Sequence, residues 1–129
     1  ITFDVTTTGW TLLGDAPALE RAILNLLDNA VKFSPPGGHV RVTLRPLGDG
    51  TAVIEVADTG PGITEADLPH VFERFYRSAD ARQLPGSGLG LSIVWQAAQR
   101  HGGMAYAGHA PEGGALMTLR LPGRPSDTN

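Results

Sequence analysis

Two hydrophobic rhythms alternate along the chain, and each change of rhythm marks an element. Between residues 16 and 33, Leu19, Ala22, Ile23, Leu26, Leu27, Ala30 and Val31 recur at three- and four-residue spacing. At about 100° per residue they share one broad arc, which predicts an amphipathic helix. Asp15 stands where an N-cap belongs, and Pro17 falls in the first turn, where its missing N–H is harmless. Ser34-Pro35-Pro36-Gly37-Gly38 ends the helix after Phe33. "HVRVTLRP" (39–46) and "TAVIEVAD" (51–58) then alternate apolar and polar positions, and Gly48-Asp49-Gly50 lies at the turn between them. This pair predicts a hairpin.

The rest of the chain follows the same logic. Residues 1–6 and 10–14 read as two short strands joined by a polar turn, a hairpin at the start of the chain. Thr64-x-x-Asp67 has the form of a capping box and predicts a short helix to about His70. Residues 77–87 carry no apolar period and are expected to be a mobile loop. A second long helix is expected from about Gly88, carrying Leu89, Ile93, Val94, Ala97 and Ala98 and stopping at His101-Gly102-Gly103. Residues 104–110 and 115–122 form a last hairpin, and the domain is expected to span 1–122 with a disordered tail over 123–129. About six strands and three helices are counted. The fold class that follows is an α/β (α+β) two-layer sandwich: a mixed, mostly antiparallel sheet of about five strands with three helices on one face.

Composition narrows the function. A chain of 129 residues supports one domain with a real core. Its net charge of -3 argues against nucleic acid or an anionic membrane as the main partner. The absence of cysteine excludes disulfides, zinc–thiolate sites and thiol catalysis. No apolar run approaches the roughly 18 residues of a membrane span, so no direct membrane insertion is expected. The strand-like start without an initiator Met leads us to expect a domain of a longer protein. Glycine and proline concentrate in "SPPGG", "TGPGI", "PGSGLG", "HGG" and "PEGG", which is punctuation between elements.

Three stretches carry candidate chemistry. In "ILNLLDNAVKF" (23–33), Asn25, Asn29 and Lys32 interrupt an otherwise apolar helix. They lie within roughly 60° of one another, a polar strip along one border of the buried arc. Such a strip is either a half-exposed flank or the floor of a pocket that offers amide oxygens to a hard cation and an ammonium to an anion. In "VADTGPGI" (56–63), Asp58 ends a strand, where it either stabilises a turn or accepts hydrogen bonds from a ring with N–H donors. "GSGLGLSIV" (86–94) is a glycine-rich turn entering a helix, suited either to close packing or to an anion held by backbone N–H groups. It is neither a Walker P-loop nor a dinucleotide fingerprint.

In order and spacing these stretches resemble the GHKL ATP-binding family, and within it the catalytic domain of bacterial sensor histidine kinases. "NLLDNAVKF" is similar to that family's N box, "DTGPGI" to its G1 box, "VFERFYR" (71–77) to its F box and "GSGLGLSIV" to its G2 box. The resemblance implies that ATP and Mg²⁺ bind here, with Asn29 as a metal ligand. It places Asn25 beside the γ-phosphate, Lys32 against phosphate charge and Phe33 near the sugar. Asp58 would accept from the adenine amino group, and Gly60, Gly62 and Ile63 would shape the adenine slot. Gly86, Ser87, Gly88, Leu89, Gly90 and Leu91 would cradle phosphates, under an ATP lid at 77–87 with Arg77 and Arg82 as phosphate contacts. Phe72, Phe75 and Tyr76 either belong to this site or anchor the lid to the core.

Hydrolytic branches of the family, such as gyrase-type ATPases, carry a Glu general base where this chain has Asn25. A carboxamide cannot take up a proton at neutral pH, and losing a general base typically costs about 10²–10⁴-fold in rate. The resemblance therefore implies a protein histidine kinase (Asn25 and Lys32 catalytic) that passes the γ-phosphate to a histidine on a separate dimerisation domain. A response-regulator receiver domain would act downstream. His39, His70, His101 and His109 lack the surroundings of an acceptor and are expected to be structural or surface residues, with His101 at a helix end where a cation interacts well with the dipole. The fragment alone should be monomeric and unable to phosphorylate itself. Its implied location is the cytoplasmic side of a membrane-anchored sensor. The alternatives are a GHKL ATPase, a serine-kinase-type regulator, or a silent nucleotide-binding module.

Overall fold

The computed structural model describes residues 2–6, 10–12, 14–74, 76, 90–111 and 113–125. In chain order its elements are β1 (Thr2–Thr6), β2 (Trp10–Leu12), α1 (Ala16–Phe33), β3 (His39–Pro46), β4 (Thr51–Asp58), α2 (Gly90–Arg100), β5 (Met104–His109) and β6 (Ala115–Pro125). One 3₁₀ turn, Leu68–His70, separates β4 from α2.

The first helix starts and stops for the local reasons given above. The Asp15 carboxylate accepts a hydrogen bond from Ala18 N at 3.3 Å, and Ser34 N caps the other end on the carbonyls of Ala30 and Val31. Its buried face presents Leu19, Ala22, Leu26 and Ala30 to the sheet and to α2. β3 and β4 pair antiparallel from Val40↔Asp58 to Pro46↔Ala52, so Val40, Val42 and Leu44 point to the helix side while Arg41, Thr43 and Arg45 point away. Ile54 and Val56 share the helix side with Met117, Leu119 and Leu121 of β6, and Val94, Ala97 and Ala98 of α2 close the core over them. By the same alternation Asp58, two residues after Val56, also faces the helix layer.

The sheet is mixed, as expected, but its edges differ from the sequence reading. β1 and β2 do not pair with each other: β1 runs parallel to β3 (Thr2↔His39 to Thr6↔Thr43), and β2 pairs antiparallel with the end of β6 (Trp10↔Pro125 to Leu12↔Gly123). Each finds a free strand edge far away in sequence. β6 pairs with β4 on one edge and β5 on the other, giving six strands among the described residues, not about five. Pairing with β2 also keeps Gly123–Pro125 in strand, so the domain extends past residue 122.

The helix layer holds two α-helices among the described residues, not three. Thr64 and Asp67 do engage, with Thr64 Oγ1 donating to Asp67 Oδ2 at 2.9 Å and accepting from Asp67 N at 3.3 Å. Asp67 then turns its other oxygen to the Tyr76 hydroxyl, and Pro69 lacks the N–H that a continuing helix needs, so only the 3₁₀ turn forms. α2 is described from Gly90; the expected start near Gly88 lies outside the described residues.

Candidate functional site

Two contacts fix how α1 and α2 lie. Asp15 N donates to His101 Nε2 at 3.0 Å, tying the start of α1 to the end of α2. At the other end of α2, a Cβ built on Gly90 would stand 3.6 Å from the Asn25 carboxamide oxygen. The helices therefore run antiparallel, and α2 begins level with Asn25. The eight residues of α1 beyond Asn25, about 12 Å of helix, continue past that start toward the end of β4. His101 corrects one expectation. Its Nδ1 lies 2.7 Å from the Ala97 carbonyl and must donate, while Nε2 accepts, so this arrangement needs a neutral ring.

The polar strip of α1 borders this shoulder. Asn25 is half-buried, and its Nδ2 is a buried donor with no hydrogen-bond partner among the described residues. An unmade buried hydrogen bond costs about 1–3 kcal/mol, which natural structures tolerate mainly where a water, ion or ligand completes it. Asn29 follows one turn later and is also half-buried. Lys32 has a partner that the sequence reading missed: its Nζ lies 3.2 Å from Asp28 Oδ2. The i,i+4 spacing of these charges was visible in the sequence.

The far wall is built around Asp58, which is only 2% exposed. Its Oδ1 accepts from Gly60 N at 2.9 Å and from Ala115 N at 3.1 Å, so one oxygen is fixed by the backbone on both sides. Two glycines permit this. A Cβ on Gly114 would overlap the Asp58 backbone and stand 2.6 Å from Oδ1, and one on Gly60 would overlap the Phe33 carbonyl at the end of α1. Phe33 and the "DTGPGI" loop are thus in direct contact. Gly62 adopts φ +81 against the Gly113 carbonyl, and Ile63 packs on the core. Gly114 and Ala115 were missed, although the Gly113-Gly114 doublet marked a tight turn there.

Gly90 and Leu91 are the first described residues of α2, and Leu91 packs on the core. Phe72 packs on the core and meets Trp95 with ring centroids 5.8 Å apart, while Tyr76 stacks on His70 at 5.2 Å. Those two rings therefore anchor the segment that leads away from the 3₁₀ turn. Arg77, Arg82, Gly86, Ser87, Gly88, Leu89 and Phe75 lie outside the described residues. Among the sequence-predicted residues that are described, Asn25 lies beside Gly90 with room for one methyl group between them, and Phe33 and Asp58 both lie against Gly60. Asn29 and Lys32 sit on the length of α1 between these two groups.

A helix-edge strip of amides, a strand-end carboxylate held by backbone N–H groups and a glycine-entered second helix on one sheet face define a class. The profile of the histidine kinase-, DNA gyrase B- and HSP90-like ATPases matches residues 14–125, and the chain belongs to this family. Within it, the likeness is to sensor histidine kinases. The signal transduction histidine-protein kinase/phosphatase MprB of Mycobacterium avium (strain 104) is 54% identical over 97% of this chain, and the match covers 25% of that protein. The chain thus spans about a quarter of the length of the curated relatives it matches. The solved structure of the mycobacterial sensor histidine kinase MprB shares 48% identity and a TM-score of 0.92, covering 97% of this chain and 85% of that one. The ATP-binding domain of PrrB from Mycobacterium tuberculosis shares 34% identity and a TM-score of 0.70, covering 96% and 82%.

Proposed function

We propose that this domain holds Mg-ATP between the strip of α1, the Asp58 loop and the start of α2, and presents the γ-phosphate to a histidine on a separate dimerisation domain of the same sensor kinase. The observation that carries the reading is the buried Asn25 Nδ2, which has no hydrogen-bond partner among the described residues and sits on the turn of α1 beside Gly90. The donor set suits the ligand at each end. Asp58 keeps one oxygen on the backbone and leaves its second for the N–H donors of adenine. Lys32 supplies positive charge for phosphate, and Phe33 borders the sugar.

Magnesium binds through few protein oxygens and completes its shell with phosphate and water. Asn29 offers such an oxygen, and no group of three His, Asp or Glu side chains that could form an all-protein cage occurs among the described residues. When bound, the cation supplies neutralisation of the phosphate charge. The chain's own part is positioning, which provides most of the catalysis of phosphoryl transfer. Asn25 cannot act as a general base, so water at the γ-phosphate is not activated and the phosphoryl group is kept for the histidine. Gly90, Leu91 and residues 86–89 would line the phosphates with N–H groups, beneath a lid at 77–87 carrying Arg77 and Arg82.

None of the chain's four histidines is placed to act as acceptor: His101 links the helices, His70 pairs with Glu73, His109 pairs with Glu65, and His39 is exposed on β3. The acceptor would therefore lie on another domain, and a response-regulator receiver domain would act downstream. No helix among the described residues is long and apolar enough to cross a membrane; the cytoplasmic side of an anchored sensor as this unit's place rests on the likeness to sensor kinases alone. The test is to mix the chain with Mg-ATP and a separately prepared histidine-bearing helical domain of its parent protein. Acid-labile phosphate on that domain is expected, with none on this chain alone. Free phosphate released without the helical domain would overturn the proposal.

A further inference from the structure

The ion pair on α1 points to a residue outside the four sequence motifs' expected roles. Asp28 Oδ2 lies 3.2 Å from Lys32 Nζ, with side chains 63% and 36% exposed. Around α1, Asn25, Asn29 and Lys32 share the strip that borders the shoulder, whereas Asp28 sits next to it on the outer, solvent side. Among the described residues the Lys32 ammonium thus pairs with a carboxylate on the outer side of the strip. Lys and Asp at this spacing pair in an isolated helix as well, so the contact needs no ligand to form.

We infer that Asp28 is a positioning residue: it holds the Lys32 ammonium while the pocket lacks a phosphate chain and competes with that chain for it. The inference rests on the proposed placement of Lys32 against phosphate. Its consequence is a pocket whose grip on di- and triphosphates is deliberately moderated, since each must displace a carboxylate before gaining the lysine. A ligand without phosphates does not meet this competition. The carboxylate also adds a like charge near the phosphates, and this part of its effect does not need Lys32. The two contributions are separable by removing the lysine.

The test is a calorimetric cycle of wild type, Asp28→Asn, Lys32→Ala and the double variant, each titrated with Mg-ATP, Mg-ADP and adenosine, with melting curves to confirm folding. Exposed pairs of this kind are worth up to about fivefold in an equilibrium constant. Asp28→Asn should tighten Mg-ATP and Mg-ADP by about two- to fivefold and leave adenosine unchanged, and Lys32→Ala should cancel most of that gain. Unchanged or weaker Mg-ATP binding by Asp28→Asn, while Lys32→Ala weakens it, overturns the inference and leaves the placement of Lys32 standing. An equal gain in the Lys32→Ala background overturns it too, because Asp28 would then act by repulsion alone. If Lys32→Ala leaves Mg-ATP binding unaltered, the placement of Lys32 and the inference fall together.

Discussion

Asp58 separates binding from folding in a way that two substitutions can expose. Its Oδ1 accepts from Gly60 N and Ala115 N, and the side chain is 2% exposed. Asp58→Asn keeps an oxygen that can accept both bonds but changes the second oxygen into a donor. With the backbone anchors retained and a buried charge removed, stability should stay within about 1 kcal/mol of wild type. Facing adenine, however, the new N–H meets an N–H. A hydrogen bond to a charged acceptor is worth about 1.5–3 kcal/mol, so adenine nucleotides should bind about 10- to 150-fold more weakly. Asp58→Ala instead removes both anchors and strands the buried Ala115 N–H, which should cost about 2–4 kcal/mol of stability as well as affinity. The assay is calorimetry with Mg-ATP beside denaturant unfolding for all three proteins. If Asp58→Asn folds like wild type and binds Mg-ATP equally well, the carboxylate does not read the base and the reasoning fails.

Three further outcomes follow from other groups. Asn25→Leu should raise stability by about 1 kcal/mol in denaturant melts, because it removes a buried unmade donor, while lowering Mg-ATP affinity at least tenfold. His101→Ala should destabilise by about 1 kcal/mol, since Asp15 N loses its acceptor where the two helices meet; wild-type stability in thermal melts would refute that link. The Thr51 hydroxyl, with a smaller part from the Thr51 backbone N–H and the neighbouring Arg120 guanidinium, holds the Asp49 carboxyl below the ordinary 3.8. A depressed value in the folded state means stability that is present above about that pH and lost on acidification through the folded value. Wild type should therefore melt above Asp49→Asn at pH 7, and the gap should close below the ordinary carboxylate range.

How much of this was legible depended on range. α1, its Asp15 cap and the β3–β4 hairpin occupy the residues expected of them because period, cap and turn are local signals. The partners of β1 and β2 were not readable. A short strand's own residues say that it will pair, but β1 finds β3 more than thirty residues on, and β2 finds β6 more than a hundred residues on. Thr64-x-x-Asp67 was misread because the same side-chain exchange closes a single turn as readily as it opens a helix, and Pro69 and Tyr76 decided between them. The site divides in the same way. The strip of Asn25, Asn29 and Lys32 follows from helical spacing alone, and so does the Asp28 pair, had the charges been read along with the amides. The seating of Asp58 on Ala115 spans 57 positions and depends on Gly114 having no side chain, which no local pattern announces.

In the proposed function the α1 strip and the Asp58 loop face one bound nucleotide. Titration of the isotopically labelled chain with Mg-ATP, followed by backbone amide shifts, addresses it most directly. Saturable one-to-one binding is expected, with the largest shifts at Asn25–Phe33, Asp58–Ile63 and Gly90–Leu91 together. No binding at millimolar Mg-ATP, or saturable shifts confined to the opposite face of the sheet around Arg41, Arg45 and Glu55, would contradict it.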